Sequence, residues 1–334
     1  MAQPKVTVGV ILFTGCEKYL HESLPSLMDQ DYPNIEFLFR DQSPNGEVYN
    51  YLKENLPRVF EQANVKIQKG ENKMHSGGHN ALIGQMTGDY YVCASNDMSY
   101  PADFVSKVVA ELEKPENQTY GSATVKLMQW DFEKGLKTNQ LDSCGIAIKR
   151  THHFFDLGQG EEDKGQYDSL HSIFGGSGAL VVLRKKALED IRYQNEYFDE
   201  LIHYKNDVDL AYRLQWAGHA SCLFLSDIRV WHDRQVGGNK GIIGSRSDKK
   251  RWAKEDSLFG HLVTLRKNFD RRFSLRTQLS TWLYNTAKFF YVLFREPHLL
   301  KQYLRVRRHR DEIRAKRQAM KRIAKPSDIE SFMS

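Results

Sequence analysis

The chain has 334 residues, 40% hydrophobic and 12% aromatic, an ordinary globular composition that excludes disordered, collagen-like and low-complexity classes. Its formal net charge of +6 hides a division: residues 1–240 carry 25 basic and 33 acidic residues, whereas 241–334 carry 23 basic and 9 acidic. No apolar run approaches the roughly 20 residues of a spanning helix, and the four scattered cysteines (Cys16, Cys93, Cys144, Cys222) exclude a zinc-knuckle or dithiol motif and fit a reduced, cytoplasmic setting.

In chain order, the β-branched run at 6–13 predicts a strand rather than the apolar core of a leader. A helical spacing of Tyr19, Leu20, Leu24, Leu27 and Met28 predicts a helix over 18–30, followed by a turn at 31–34. A second strand at 35–39 runs into Arg40 and Asp41; a turn at 43–46 then leads to a helix over 48–60. The pattern repeats with a strand at 65–68, a helix over 77–86 opened by paired glycines, a strand at 90–94 and a helix over 101–112 with proline at its start. Four such units predict a parallel, doubly wound α/β sheet, which binds ligands at the carboxyl ends of its strands. The stretch 129–170 has no clean period and is expected to be an excursion. Beyond it, the glycine-rich 175–178 precedes a strand at 179–183, and a helix over 206–217 stops at Gly218. Short strands are expected at 222–225 and 228–231, and the Gly/Ser-rich 235–247 as a mobile loop able to close over a ligand.

Polar residues fall at informative places. Asp41 ends the second strand and Ser95-Asn96-Asp97 ends the fourth, so the topology puts both acids at one sheet edge. Hard divalent cations favour oxygen ligands and share them with phosphates; equally, each acid alone could cap the following turn. Asp207 starts a helix, where the dipole favours a carboxylate, and an N-cap role explains it as well. Asp209 and Arg213, four apart with the acid first, form a structural pair that leaves Asp207 facing outward. His232 ends a strand; a lone histidine is more often no ligand, though imidazole is the usual metal-binding nitrogen.

Together these segments resemble the family 2 inverting glycosyltransferases of GT-A fold, rhamnosyltransferase-like, over about residues 5–270. The resemblance is carried by Ser26-Leu27-Met28-Asp29-Gln30-Asp31-Tyr32-Pro33, by Glu36 through Asp41 and Ser43, by Asn72, Gly77, Gly78, Asn80, Gly88, Asp89 and Tyr90, and by Ser95-Asn96-Asp97. Gly175-Gly176-Ser177-Gly178, Phe198-Asp199-Glu200, Asn206-Asp207-Val208-Asp209-Leu210 and Val230-Trp231-His232 complete it. Arg40 stands where the family carries an apolar residue, and Asn206 where it carries an acid. The resemblance implies a nucleoside-diphosphate-sugar donor with Asp41, Ser43, Asn72, Gly78, Asn80, Ser95 and Asn96 around the nucleotide. It further implies Mg2+ or Mn2+ on Asp97 and His232, Asp207 as general base, and a glycan or lipid-linked acceptor in polysaccharide or cell-surface glycan synthesis. The alternative is a catalytically weak nucleotide- or glycan-binding protein on the same fold, for which Ser95 and Asn206 give some support.

The division falls into a catalytic domain over 1–270 and a helical basic extension over 271–334. Residues 275–294 are rich in Leu, Trp, Phe and Tyr, and 301–325 hold eleven basic and two acidic residues. An amphipathic aromatic stretch beside Lys and Arg suits peripheral contact with an anionic membrane at its cytoplasmic face. The competing arrangement packs these helices on the domain with a solvated basic face; nucleic acid is not expected, since no recognition motif accompanies the charge.

Overall fold

The computed structural model describes residues 3–234 and 251–334, so the loop expected at 235–247 lies outside the described residues. The first half alternates as expected: β1 (Val6–Leu12), α1 (Glu17–Met28), β2 (Ile35–Asp41), α2 (Glu47–Asn55), α3 (Arg58–Glu61), β3 (Val65–Lys69), α4 (Met74–Ile83), β4 (Tyr90–Ala94), β5 (Met98–Ser99) and α5 (Phe104–Glu113). A long hairpin of β6 (Ser122–Asp131) and β7 (Leu136–Ser143) follows, with β8 (Ile146–Ile148) paired to β9 (Phe154–Asp156). Next come β10 (Ser172–Ile173), β11 (Leu180–Arg184), α6 (Lys185–Ile191), α7 (Asn206–Trp216) and β12 (Cys222–His232). The chain ends in α8 (Arg251–Asn268), α9 (Leu275–Arg295), α10 (Leu300–Arg308), α11 (Arg310–Ala319) and α12 (Pro326–Glu330).

The main sheet runs β10-β12-β6-β11-β4-β1-β2-β3, with β5 on β12 and β7 on β6. The run β4-β1-β2-β3 is parallel, as the four βα units require. Parallel strands are covered on both faces and so lack polar alternation; β2 accordingly is buried at every position. Past β4 the direction changes: β11 is antiparallel to β4 and β6, whereas β12 is parallel to β6.

Four local expectations are revised. The helix expected over 48–60 breaks into α2 and α3, because Pro57 drives Leu56 out of the helical region (φ −133°, ψ 54°). Helix α4 begins before its paired glycines, and Gly78 lets it close on the sheet: an added Cβ there would sit 2.7 Å from Ile11 Cδ1. The strands expected at 222–225 and 228–231 are one strand, β12, with a register shift between Leu225 and Arg229. The excursion at 129–170 carries β7, β8 and β9, whose mixed burial gives no period along the sequence.

The C-terminal helices pack on the body through charge as well as apolar contact. Lys267 of α8 is 1% exposed and pairs with Asp199 and with Asp209 (2.8 Å); Lys316 of α11 reaches Asp199 at 2.6 Å and Glu196 at 2.8 Å. Ile202 joins Phe259, Val263, Val306 and Ile313 in one apolar cluster. On α9, by contrast, Leu275, Trp282 and Phe294 are 83%, 63% and 75% exposed. Among the described residues no helix is long and apolar enough to cross a membrane.

Candidate active site

The carboxyl edge of the parallel strands is shaped by side chains that hold backbone. Asp41 is fully buried; its two oxygens accept the amide hydrogens of Ser43 (2.7 Å) and Tyr49 (2.8 Å), and Ser43 Oγ accepts that of Val48 (3.1 Å). The turn-capping role therefore describes both residues. Asn72 opens α4 by accepting the Met74 amide at 2.9 Å, and Asn96 Nδ2 donates to the Ile11 carbonyl at 2.7 Å. Asn80 makes four hydrogen bonds to Tyr197, Phe198 and Glu200, so its carboxamide has no capacity left for a nucleotide. It is corrected to a clamp on the loop before α7. Ser95 is held through its backbone, donating to Ala179 O (3.0 Å) and accepting from Tyr100 OH (3.0 Å).

Asp97 and His232 do meet. Strand β5 pairs antiparallel with the end of β12, matching Met98 to His232, and the Asp233 amide donates to Asp97 O at 3.0 Å. Asp97 Oδ1 lies 3.5 Å from His232 Nε2, is buried, and meets no hydrogen-bond partner among the described residues. Two donors on one cation with bonds near 2.1 Å stand about 3.0–3.5 Å apart, so an orphaned carboxylate oxygen at this distance fits a divalent ion. On its other side the imidazole meets Asp142 Oδ2 at 2.8 Å through Nδ1. Burial alone would depress His232, but Asp97 and Asp142 outweigh it and raise the imidazole to about 10.

Three members of this network escaped the sequence reading. Arg234 bridges Asp142 (2.7 Å) to Asp156 (2.9 Å), and its guanidinium is held still more firmly charged than usual despite burial. An open cavity of about 310 Å³ lies here, lined by Trp130, Asp142, His232, Asp233 and Arg234 among others. Another hollow, against Asp199, Lys267 and Lys316, lies beside the ion pairs of the C-terminal helices.

Asp207 begins α7. Its oxygens accept the amide hydrogens of Val208 (2.8 Å) and Gly178 (3.1 Å). It is half-buried rather than outward-facing. Burial pushes its carboxyl above the ordinary value and Asp156 adds to this, while the two amides and Lys205 oppose. A Cβ on Gly178 would come within 3.2 Å of Asp207 Oδ2, which explains a glycine there. The neighbouring Asn206 donates to Ser76 Oγ (3.1 Å), faces His75 Nδ1 at 2.8 Å, and accepts the Asp207 amide at 2.9 Å. The Asp209–Arg213 pair forms at 2.8 Å, as expected, but buried and extended by Lys267 and Asn268. Thus Asp97 and His232 are brought together, Asp142 and Arg234 link the imidazole to Asp156, whose charge is felt at Asp207, and Asp41 stands at the same edge with its carboxylate turned into the backbone.

A four-stranded parallel half continued by antiparallel strands, with an acid–histidine pair at the strand edge, is the GT-A glycosyltransferase architecture. Residues 7–192 match the family model "Glycosyl transferase family 2", and the chain belongs to that family. It is 26% identical over 199 residues to the glycosyltransferase-like protein EpsE of Bacillus subtilis (strain 168), covering 59% of this chain and 68% of EpsE. Among solved structures it resembles the mannosyltransferase PcManGT from Pyrobaculum calidifontis in complex with GDP-Man and Mn2+. That match has a TM-score of 0.52 and 17% identity over 90% of this chain and 73% of that one. It also resembles GalNAc-T7 with UDP, GalNAc and Mn2+, with a TM-score of 0.59 and 11% identity over 80% and 49% of the two chains.

Proposed function

We propose that the chain transfers a sugar, with inversion, from a nucleoside-diphosphate donor to a glycan or lipid-linked acceptor in cell-surface or polysaccharide synthesis. The observation that carries this reading is the buried, unpartnered Asp97 Oδ1 facing His232 Nε2 across 3.5 Å, with Asp142 and Arg234 holding the far side of the imidazole. Asp97 and His232 would hold Mg2+ or Mn2+, which supplies charge neutralisation for a departing diphosphate. Asp142 fixes the imidazole so that Nε2 faces Asp97. Asp207 accepts the proton of the acceptor hydroxyl, and attack opposite the leaving group inverts the anomeric carbon. The turn shaped by Asp41 and Ser43 and the segment at Ser95 and Asn96 form the nucleotide side of the cleft, with Asn72, Gly78 and Asn80 setting the position of α4. Residues 271–334 act as an appendage whose exposed apolar face on α9, beside Arg276, Arg295, Lys301 and Arg307, contacts an anionic membrane.

The test is diphosphate release from a panel of nucleotide sugars with Mn2+ or Mg2+. Release from at least one donor, abolished by chelator and by Asp97→Ala, is expected. A folded chain that binds nucleotides but releases diphosphate from none would be a binding protein and would overturn the reading.

A further inference from the structure

A second cluster of metal-ligating atoms lies apart from Asp97 and His232. His75 and His79 are four residues apart on α4, hence on one helix face, and they meet Cys93 on β4. Their ring centroids are 4.5 Å apart. Both imidazoles direct Nε2 at one sulfur: Cys93 Sγ is 3.7 Å from His75 Nε2 and 3.3 Å from His79 Nε2. One ligand atom from each residue lies within 4.8 Å of the others. In a tetrahedral zinc site, bonds of about 2.3 Å to sulfur and about 2.0–2.1 Å to nitrogen place S and N about 3.6 Å apart. The cluster already stands close to that spacing.

The surroundings match such a site. His79 Nδ1 meets Tyr91 OH at 2.7 Å, the outer partner a ligating imidazole normally has. The carbonyl of Gly178 lies 3.1 Å from His75 Nε2 and 4.0 Å from the sulfur, on the side a fourth ligand would occupy. His79 and Cys93 are buried and His75 is half-buried, which leaves His75 as the side of entry.

We propose that His75, His79 and Cys93 form a zinc site, distinct from the Asp97–His232 pair, with its fourth position at the Gly178 carbonyl. Two imidazoles and a thiolate suit a borderline-soft ion and not Mg2+ or Mn2+. Binding forms a Zn–S bond and releases the Cys93 thiol proton to solvent. The His75 proton moves to Nδ1, and the Asn206 carboxamide turns its oxygen to accept it, giving up the Asp207 amide that this oxygen accepts in the free chain. Because the Gly178 amide holds Asp207, the ion would brace the loop beside that carboxylate.

The test reads the metal and not the transfer reaction. Metal-free full-length protein titrated with Co2+ should develop a near-ultraviolet thiolate-to-cobalt charge-transfer band that saturates at one equivalent and is displaced by Zn2+. The band should survive Asp97→Ala, which has no thiolate to lose, and vanish in Cys93→Ser. Zinc-edge absorption of the wild-type protein needs no variant and should show one sulfur at about 2.3 Å with nitrogens at about 2.0–2.1 Å. Absence of the band, its persistence in folded Cys93→Ser, or a zinc shell of oxygen and nitrogen alone would overturn the proposal.

Discussion

Replacing Asp207 with Asn separates the chemical role of this carboxylate from its structural one. General-base assistance is worth about 10²–10⁴-fold, or roughly 3–5 kcal/mol of barrier, so turnover of the productive donor should fall by that factor while nucleotide binding stays within about threefold. The structural consequences oppose each other. The amide removes a buried charge that burial and Asp156 disfavour, yet it turns an NH2 towards one of the two N–H groups, Val208 or Gly178, that the carboxylate accepts from. Each effect is on the order of 1–2 kcal/mol, so the melting temperature should shift by only a few degrees. The pH dependence has a definite sign. A base is lost as pH falls through its own pKa, and this one is raised; the acid limb of kcat should therefore lie above the ordinary aspartate value of 3.8 and disappear in the variant. Initial rates from pH 4 to 8, with nucleotide binding by calorimetry, measure both. A variant that keeps its rate within about threefold would reduce Asp207 to a brace for Gly178 and place the base elsewhere.

Lys267→Met should lower stability by about 3–5 kcal/mol in chemical denaturation, because it leaves Asp199 and Asp209 buried with one cation fewer each; a loss below about 1 kcal/mol would show the pair to be solvated. Since Lys316 also neutralises Asp199, truncating the C-terminal helices is a poor probe of membrane contact. Substituting Trp282 and Phe294 with Ser leaves those ion pairs intact and should abolish sedimentation with anionic vesicles. Binding by the unaltered protein should weaken with salt, each basic residue near the surface contributing about 1 kcal/mol; equal sedimentation of both proteins would reject the contact.

What the sequence shows and conceals follows from the range of each interaction. Strands β1 to β4 and their helices are legible because each repeats a local period and is punctuated by Pro, Gly or Asn. Topology puts Asp41 and Asp97 at one edge and the family resemblance adds His232 to Asp97; those last two meet there. Asp142 was invisible because β7 is exposed over its first half and shows no apolar period before Leu141. Arg234 and Lys267 look like solvated charges until the carboxylates that bury them are known. Asn80 failed in the opposite way: its motif position is compatible with ligand binding, but the loop before α7 takes all four of its hydrogen bonds. The histidine pair on α4 carries no signal at all without Cys93 from the neighbouring strand.

The pairing of β5 with the last residues of β12 also dictates when the cleft can exist. The parallel strands β1 to β4 are complete early in the chain and can condense while synthesis continues, as amino-terminal units generally do. Asp97, by contrast, waits for His232, a contact of long sequence separation whose loop-closure entropy must be met before it stabilises anything. A nascent chain halted before β12 would therefore own the folded parallel half and lack the Asp97–His232 pair, so that this edge of the cleft is completed at a late, single step of assembly rather than growing with the sheet.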